Sequence, residues 1–513
     1  MTLEGLAGSL LWVGFPGATP EEVPLAALRD LAPGGLVLFG RNVTAPEATA
    51  RLVEAVRGAL ARGAGGPPPV AIDQEGGRVA RLQRGFAAFP SALALGACAD
   101  AGLAHAFGSG LATEIRRAGA GVDFAPVLDL LLDPGSTVIG TRALGDEPQA
   151  VAPLGAAMVR GLQGGGVAAV VKHFPGHGAS AVDSHLALPR IEASPDELRA
   201  RELVPFAAAF EAGALGVMAG HLLVPSFDPE RPASLSRRTL DDVLREQLGF
   251  RGLCFTDCLL MEAIARRPGG SVAAAVDALE AGADALVISH DLETARAARD
   301  AIVAAVRSGR IPLARLEEAR ARAAAFASAL DASAARAASE SDPAAVARRV
   351  AAGAVTLVRG RAALDATRIV NVIAFEGDAS DGIGSRVERT PLHVLLRERR
   401  VRAESLRLPL EPTAGDLETL DDVLSTQRER QLVIVARRAH LFPAQAAAID
   451  ALLVASPDAV LVAALEPFDV ERFPEARSVL CTYGDDATTF EALAEILSGR
   501  AEARGRMPVR LRA

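Results

Sequence analysis

Lysine is nearly missing from this chain: one of its 54 basic residues, Lys172, is lysine and the other 53 are arginine. Cysteine is almost as scarce. Cys98, Cys254, Cys258 and Cys481 form no CxxC pair and have no histidine doublet nearby, which excludes a disulfide framework and a structural zinc site as organising features. A basic excess is also absent. The formal net charge is -9 with arginines scattered among acids, so the clustered positive surface that grips nucleic-acid phosphates is not expected. Long hydrophobic runs are missing too, and no membrane span is expected. The longest early apolar stretch, Leu10 to Phe15, follows an acidic start and has neither the length nor the flanks of a signal peptide, and a cytoplasmic location is expected.

What remains is a chain of 513 residues, half of them hydrophobic, long enough for two domains. The single lysine is informative within that frame. An ammonium is compact where a guanidinium is planar with five donors, so Lys172 marks a place where arginine would not fit, unless it is a chance survivor of a GC-rich coding background.

Short apolar runs alternate with longer Ala/Leu/Arg-rich stretches, the pattern of repeated βα units. Strands are expected over Leu10 to Phe15, Gly35 to Phe39, Val70 to Asp73, Gly121 to Pro126, Ala168 to Phe174, Gly216 to His221, Gly252 to Asp257 and Ala283 to Ser289. Eight nearly continuous apolar strands imply an α/β fold of the (β/α)8 TIM-barrel type. Asp73, Asp123, Lys172, His173, His221, Asp257 and His290 fall at or near the C-terminal ends of these runs, the rim where such barrels carry their active sites. The barrel is assigned to residues 1–332, a linker to 333–343, and a smaller αβα sandwich to 344–513. Strands of the second domain are expected over Ala354 to Val358, Ile369 to Phe375, Gln431 to Ala436, Ala459 to Leu465 and Ser478 to Tyr483. The Gly377 to Ser385 stretch reads as an exposed loop.

Three segments carry chemistry. Asp73-Gln74-Glu75-Gly76-Gly77-Arg78, with Arg81 close behind, sets carboxylates and guanidinium groups where they can grip sugar hydroxyls; a structural Asp/Arg pair closing a barrel loop would look the same. Lys172-His173-Phe174-Pro175-Gly176-His177-Gly178 leads to Asp183-Ser184-His185. An extended backbone there would put the Asp183 carboxylate beside the His185 imidazole, fixing its tautomer and raising its basicity. No GxSxG elbow accompanies the pair and no HExxH spacing suggests a metal. Phe255-Thr256-Asp257 ends a strand in a carboxylate, which suits a glycosidase nucleophile or, equally, a cap on the next helix.

These segments, with Phe124-Ala125-Pro126-Val127-Leu128-Asp129 and Val138-Ile139-Gly140-Thr141-Arg142, resemble family 3 glycoside hydrolases, specifically the bacterial β-N-acetylglucosaminidase branch of the two-domain type. The resemblance extends over the barrel and, less diagnostically, to Gly505-Arg506-Met507-Pro508-Val509. It implies a retaining hydrolase of terminal β-linked N-acetylglucosamine, with peptidoglycan-derived muropeptides as the natural class. Asp257 would be the nucleophile and His185 the acid and then base, oriented by Asp183. Asp73, Arg81, Arg142, Lys172 and His173 would hold the sugar ring. The partner is thus a small-molecule sugar, and no metal or other cofactor is called for. Two positions depart from the family pattern: Cys258 replaces a frequent second Asp, and Thr137 a Pro. Two other readings keep the same site, a phosphorylase in which a neutral acid/base lets phosphate approach, and an inactive barrel that binds cell-wall sugars.

Overall fold

The apolar runs become eight short parallel strands in a computed structural model that describes residues 1–61, 66–184, 186–337, 342–377, 389–425 and 430–511. They are β1 (Leu11–Gly14), β2 (Gly35–Leu38), β3 (Val70–Ile72), β4 (Val122–Asp123), β5 (Ala168–Phe174), β6 (Gly216–Ala219), β7 (Leu253–Thr256) and β8 (Leu286–Ile288). The hydrogen-bonded order is β8-β1-β2-β3-β4-β5-β6-β7. A parallel bridge between Phe255 and Ala285 joins β7 to β8 and closes the ring. Every residue of these strands is buried, as helix-covered parallel strands require. The fold is a TIM barrel.

Most of the strands stop short of the expected runs at their C-terminal ends. Asp73, His221, Asp257 and Ser289 leave the ladder and enter the loops, and the side chains of Asp73, Asp257 and Ser289 line the mouth. The barrel interior is packed rather than open. Trp12, Phe124 and Phe255 meet edge to face, with ring centroids 4.9 and 5.5 Å apart around Phe255. Phe326 and Leu330, from the helix Leu313–Arg336, join this cluster. Leu330 lies against Gly121, just before β4, so the filling is at the end away from the mouth.

The second domain is a six-stranded sheet ordered β9-β14-β13-β12-β10-β11. Its strands are β9 (Thr356–Arg359), β10 (Val370–Glu376), β11 (Ala403–Pro409), β12 (Gln431–Ala436), β13 (Val460–Ala463) and β14 (Ser478–Cys481). All pairs are parallel except β9 with β14. The sequence reading anticipates five of the six. It misses β11, an edge strand with mostly exposed residues, among them Glu404 and Arg407, because one exposed face and an open edge remove the continuous apolar signature. Most of the Gly377 to Ser385 stretch lies outside the described residues.

Among the connections that seat this domain on the barrel are a helix and the C-terminal stretch. The helix Pro343–Ala354 packs against the barrel helices Ala92–Cys98 and Ala101–Arg117. The C-terminal stretch also returns to the barrel: Arg506 N donates to Ala97 O at 2.9 Å, and Asp146 N donates to Pro508 O at 3.3 Å. Both contacts lie next to the long loop after β4. Among the described residues no helix is long and apolar enough to cross a membrane.

Candidate active site

The C-terminal mouth of the barrel encloses a cavity of about 430 Å³, within the range of small-ligand pockets. Asp73, Arg81, Arg142, Lys172, His173 and Asp257 all line it. Six of the eight proposed site residues therefore converge on one space, although they come from four different strand ends or the loops that follow them. Asp183 does not line the cavity, and His185 lies outside the described residues.

Lys172 is the centre of the polar wall. It sits within β5, 3% exposed, and its Nζ lies 2.7 Å from Asp73 Oδ1 and 2.6 Å from Glu75 Oε1. Glu75 also accepts a fork from Arg142, with Nε and Nη2 each at 2.8 Å. One carboxylate thus bridges the lysine and an arginine. Burial alone would raise the Glu75 pKa, but the charges of Arg142 and Lys172 outweigh it and hold Glu75 well below the usual carboxylate range. Burial likewise opposes the charge on Lys172, and Asp73 and Glu75 reverse the effect, so its ammonium is retained. The room for one ammonium between two carboxylates, with a guanidinium already on one of them, explains why this position is lysine.

A second layer fixes these groups. Asp123, fully buried in β4, accepts the backbone N–H of Gln74 at 3.0 Å. Burial, with Asp73 and Glu75 nearby, pushes its pKa well up against the pull of Lys172 and Gln74 N–H. Asp129 is also fully buried; it accepts His173 Nδ1 at 2.6 Å and the backbone N–H groups of His173 and His177. Burial works against ionisation of Asp129, yet His173 and His177 more than compensate and lower its pKa. His173 Nε2 then faces Arg142 Nη2 at 3.4 Å. The sequence places Glu75 among carboxylates that could grip a sugar and gives Asp129 no role; that the two instead hold Arg142, Lys172 and His173 follows from contacts in space that local spacing does not carry.

The loop after β5 behaves differently from the expectation. The Asp183 segment is a turn rather than an extended strand: Asp183 O accepts the N–H groups of both Leu186 and Ala187 at 2.9 Å. The side-chain alternation of an extended backbone therefore does not apply there. Ser184 Oγ lies 3.2 Å from His177 Nε2, tying the turn to the strand end. Burial drives the His177 pKa down to about 4, against the pull of Asp129, so this imidazole is neutral at physiological pH.

On the remaining wall, Asp257 follows β7; its backbone N–H donates to Ala219 O at 3.0 Å and its Oδ1 accepts Cys258 N–H at 2.7 Å. The carboxylate thus sits on a rigid strand end. Cys258, where the family pattern often has Asp, lines the cavity and pairs with Ser289 Oγ at 2.7 Å. His290 lines the cavity as well, whereas His221 is fully buried between Ser234 Oγ and Cys258 O. Of the two further histidines at strand ends, His290 belongs to the pocket and His221 to its support. Phe39, Leu260, Met261 and Glu262 complete a less polar rim.

A barrel rim with this arrangement of carboxylates and cations suits a glycosidase, and comparison with known proteins assigns the chain to that class. The sequence profile of the glycosyl hydrolase family 3 N-terminal domain matches residues 3–325. The chain belongs to that family. A β-hexosaminidase of Nitrosomonas eutropha is 38% identical over 293 residues, covering 56% of this chain and 82% of the relative. A family 3 β-N-acetylglucosaminidase from Paenibacillus sp. str. FPU-7 superposes with a TM-score of 0.92 at 34% identity, covering 100% of this chain and 99% of that one. A fungal multi-domain β-N-acetylglucosaminidase is 29% identical with a TM-score of 0.88, covering 99% of this chain and 61% of that one.

Proposed function

We propose that this enzyme removes terminal non-reducing β-linked N-acetylglucosamine with retention of configuration, acting on peptidoglycan-derived muropeptides. The observation that carries the reading is that Asp257 and the Asp73–Lys172–Glu75–Arg142 cluster line one cavity. In this reading the cluster holds the sugar: Asp73 accepts from hydroxyls, Arg81 and Lys172 donate, and Arg142 with His173 closes the polar edge. The Asp257 carboxylate attacks the anomeric carbon, and a covalent glycosyl ester forms as the aglycone leaves.

His185 protonates the departing oxygen. It then takes a proton from the water that cleaves the ester, with Asp183 orienting the ring and raising its basicity. A leaving oxygen of low basicity depends less on that proton, so p-nitrophenol departs more readily than a sugar alcohol. The names of the β-hexosaminidase and β-N-acetylglucosaminidase relatives support the choice of sugar.

A substrate panel tests the reading. The enzyme is expected to release p-nitrophenol from the β-N-acetylglucosaminide and little from the β-glucoside, with Asp257→Ala abolishing release. Equal rates on both glycosides would overturn the assignment of the sugar.

A further inference from the structure

Among the described residues the second domain contributes none to the lining of the cavity, yet it holds a loop whose side chain completes the polar wall. The loop from Pro134 to Asp146 follows β4 and sends Arg142 onto Glu75. Contacts from the second domain hold it along its length. His440 Nε2 lies 3.3 Å from Pro134 O, Thr141 N–H donates to Glu466 Oε1 at 3.2 Å, and Asp146 N–H donates to Pro508 O at 3.3 Å. The middle contact is nearest the chemistry, one residue from Arg142.

Glu466, just beyond β13, is 3% exposed. Its two oxygens accept Nε and Nη2 of Arg438 at 2.7 and 2.9 Å. A Cβ on Gly140, whose φ is +43°, would overlap Glu466 Oε1, so the 3-10 turn Gly140–Arg142 is moulded onto this carboxylate. The turn is braced from the other side by Arg78, which donates to Thr137 O and Val138 O, while Arg142 Nη1 donates to Val138 O at 3.0 Å. Burial opposes ionisation of Glu466, and Arg438 and Arg78 outweigh it, holding its pKa at about 2. Arg438 itself adopts a left-handed backbone, φ +56°, a conformation uncommon for non-glycine residues.

A buried ion pair adds little to net stability, because desolvation cancels most of the attraction. Its retention at a domain junction, bonded to the backbone of Thr141, is better accounted for by what it places. We infer that Glu466 is a positioning residue for Arg142, so that the second domain is part of the sugar subsite without touching sugar. This rests on the proposed role of Arg142 in holding the substrate.

A double-mutant cycle on the full chain tests it, with kcat and KM measured on p-nitrophenyl β-N-acetylglucosaminide. Glu466→Ala is expected to lower kcat/KM about thirtyfold, the scale of one lost hydrogen bond to a charged group. Glu466→Gln, which can still accept Thr141 N–H, should recover to within about fivefold of wild type. In an Arg142→Ala background the Glu466→Ala loss should shrink below about twofold, because the residue it positions is gone. Equal losses in both backgrounds would overturn the inference and show that Glu466 serves domain docking alone; so would wild-type kinetics in Glu466→Ala. Failure of the wild type to turn over this substrate would instead overturn the proposed function, and the inference with it.

Discussion

Replacing Lys172 by methionine keeps the length and apolar stem of the side chain and deletes its charge. In the native site the ammonium compensates Asp73 and Glu75 at 2.7 and 2.6 Å while only 3% exposed. Removing one partner of a buried ion pair costs about 3–5 kcal/mol, since the other charge is left uncompensated. For a barrel of some 330 residues the entropy of unfolding near the midpoint is about 0.7 kcal/mol/K, so the calorimetric Tm should fall by roughly 4–7 °C near neutral pH. The pH dependence identifies the cause. Glu75 has a folded pKa depressed below its ordinary 4.5, with burial opposed and overcome by Arg142 and Lys172. Its contribution to stability is therefore present above about pH 4.5 and is lost as pH falls through the folded value. Without Lys172 the Glu75 carboxylate loses one of the two cations that hold it ionised, which raises its folded pKa. The Tm gap between wild type and Lys172→Met should then be widest near pH 7.5 and shrink toward about pH 4.5. A gap that stays constant over that range would refute the electrostatic reasoning and leave packing loss as the cause.

Arg142→Lys keeps a positive charge but loses the two-pronged contact to Glu75, and kcat/KM should fall about 10- to 100-fold, as steady-state kinetics will show. His185→Ala should cost roughly 10²–10⁴-fold on a disaccharide substrate and clearly less in the first turnover of the p-nitrophenyl glycoside, whose leaving group needs little protonation. A burst-phase measurement separates the two steps. His440, whose pKa is raised by its bond and charge pairing with Asp469 despite the opposing effect of burial, contributes stability that is complete below pH 6.5 and lost as pH rises through its folded pKa. The Tm deficit of His440→Asn should accordingly be larger near pH 6 than near pH 9. Trp12→Ala, which empties the barrel core between Phe255 and Phe326, should cost about 3–5 kcal/mol in denaturant unfolding while leaving KM near wild type.

The barrel was legible because its strands are buried on both faces and so read as unbroken apolar runs; β11 was not, since an exposed edge strand has no such run. The site residues that follow strands, such as Asp73 and Asp257, were legible for the same reason: a charged residue ending an apolar run has few places to go but the rim. Lys172 was found by rarity, and its two carboxylate partners supply the physical reason. Glu75 and Asp129 carry as much of the geometry as the residues they hold, but their importance lies in which cations they meet in space, which spacing along the chain does not disclose. Glu466 lies 324 residues beyond Arg142, on another domain, and nothing local to either residue links them. The Asp183 turn was misjudged as extended because the alternation argument assumes a regular backbone, whereas the structure closes hydrogen bonds from Asp183 O to Leu186 and Ala187.

The central claim is that Asp257 is the nucleophile of a retaining N-acetylglucosaminidase, and trapping the glycosyl-enzyme tests it most directly. A fluorinated N-acetylglucosaminyl fluoride, which slows both steps but keeps a good leaving group, is incubated with the enzyme, followed by proteolysis and peptide mass spectrometry. One sugar attached to the peptide bearing Asp257, with loss of activity in step with labelling, is the expected result. A label on another residue, or turnover of the natural anomer with inversion and no adduct, would contradict the account.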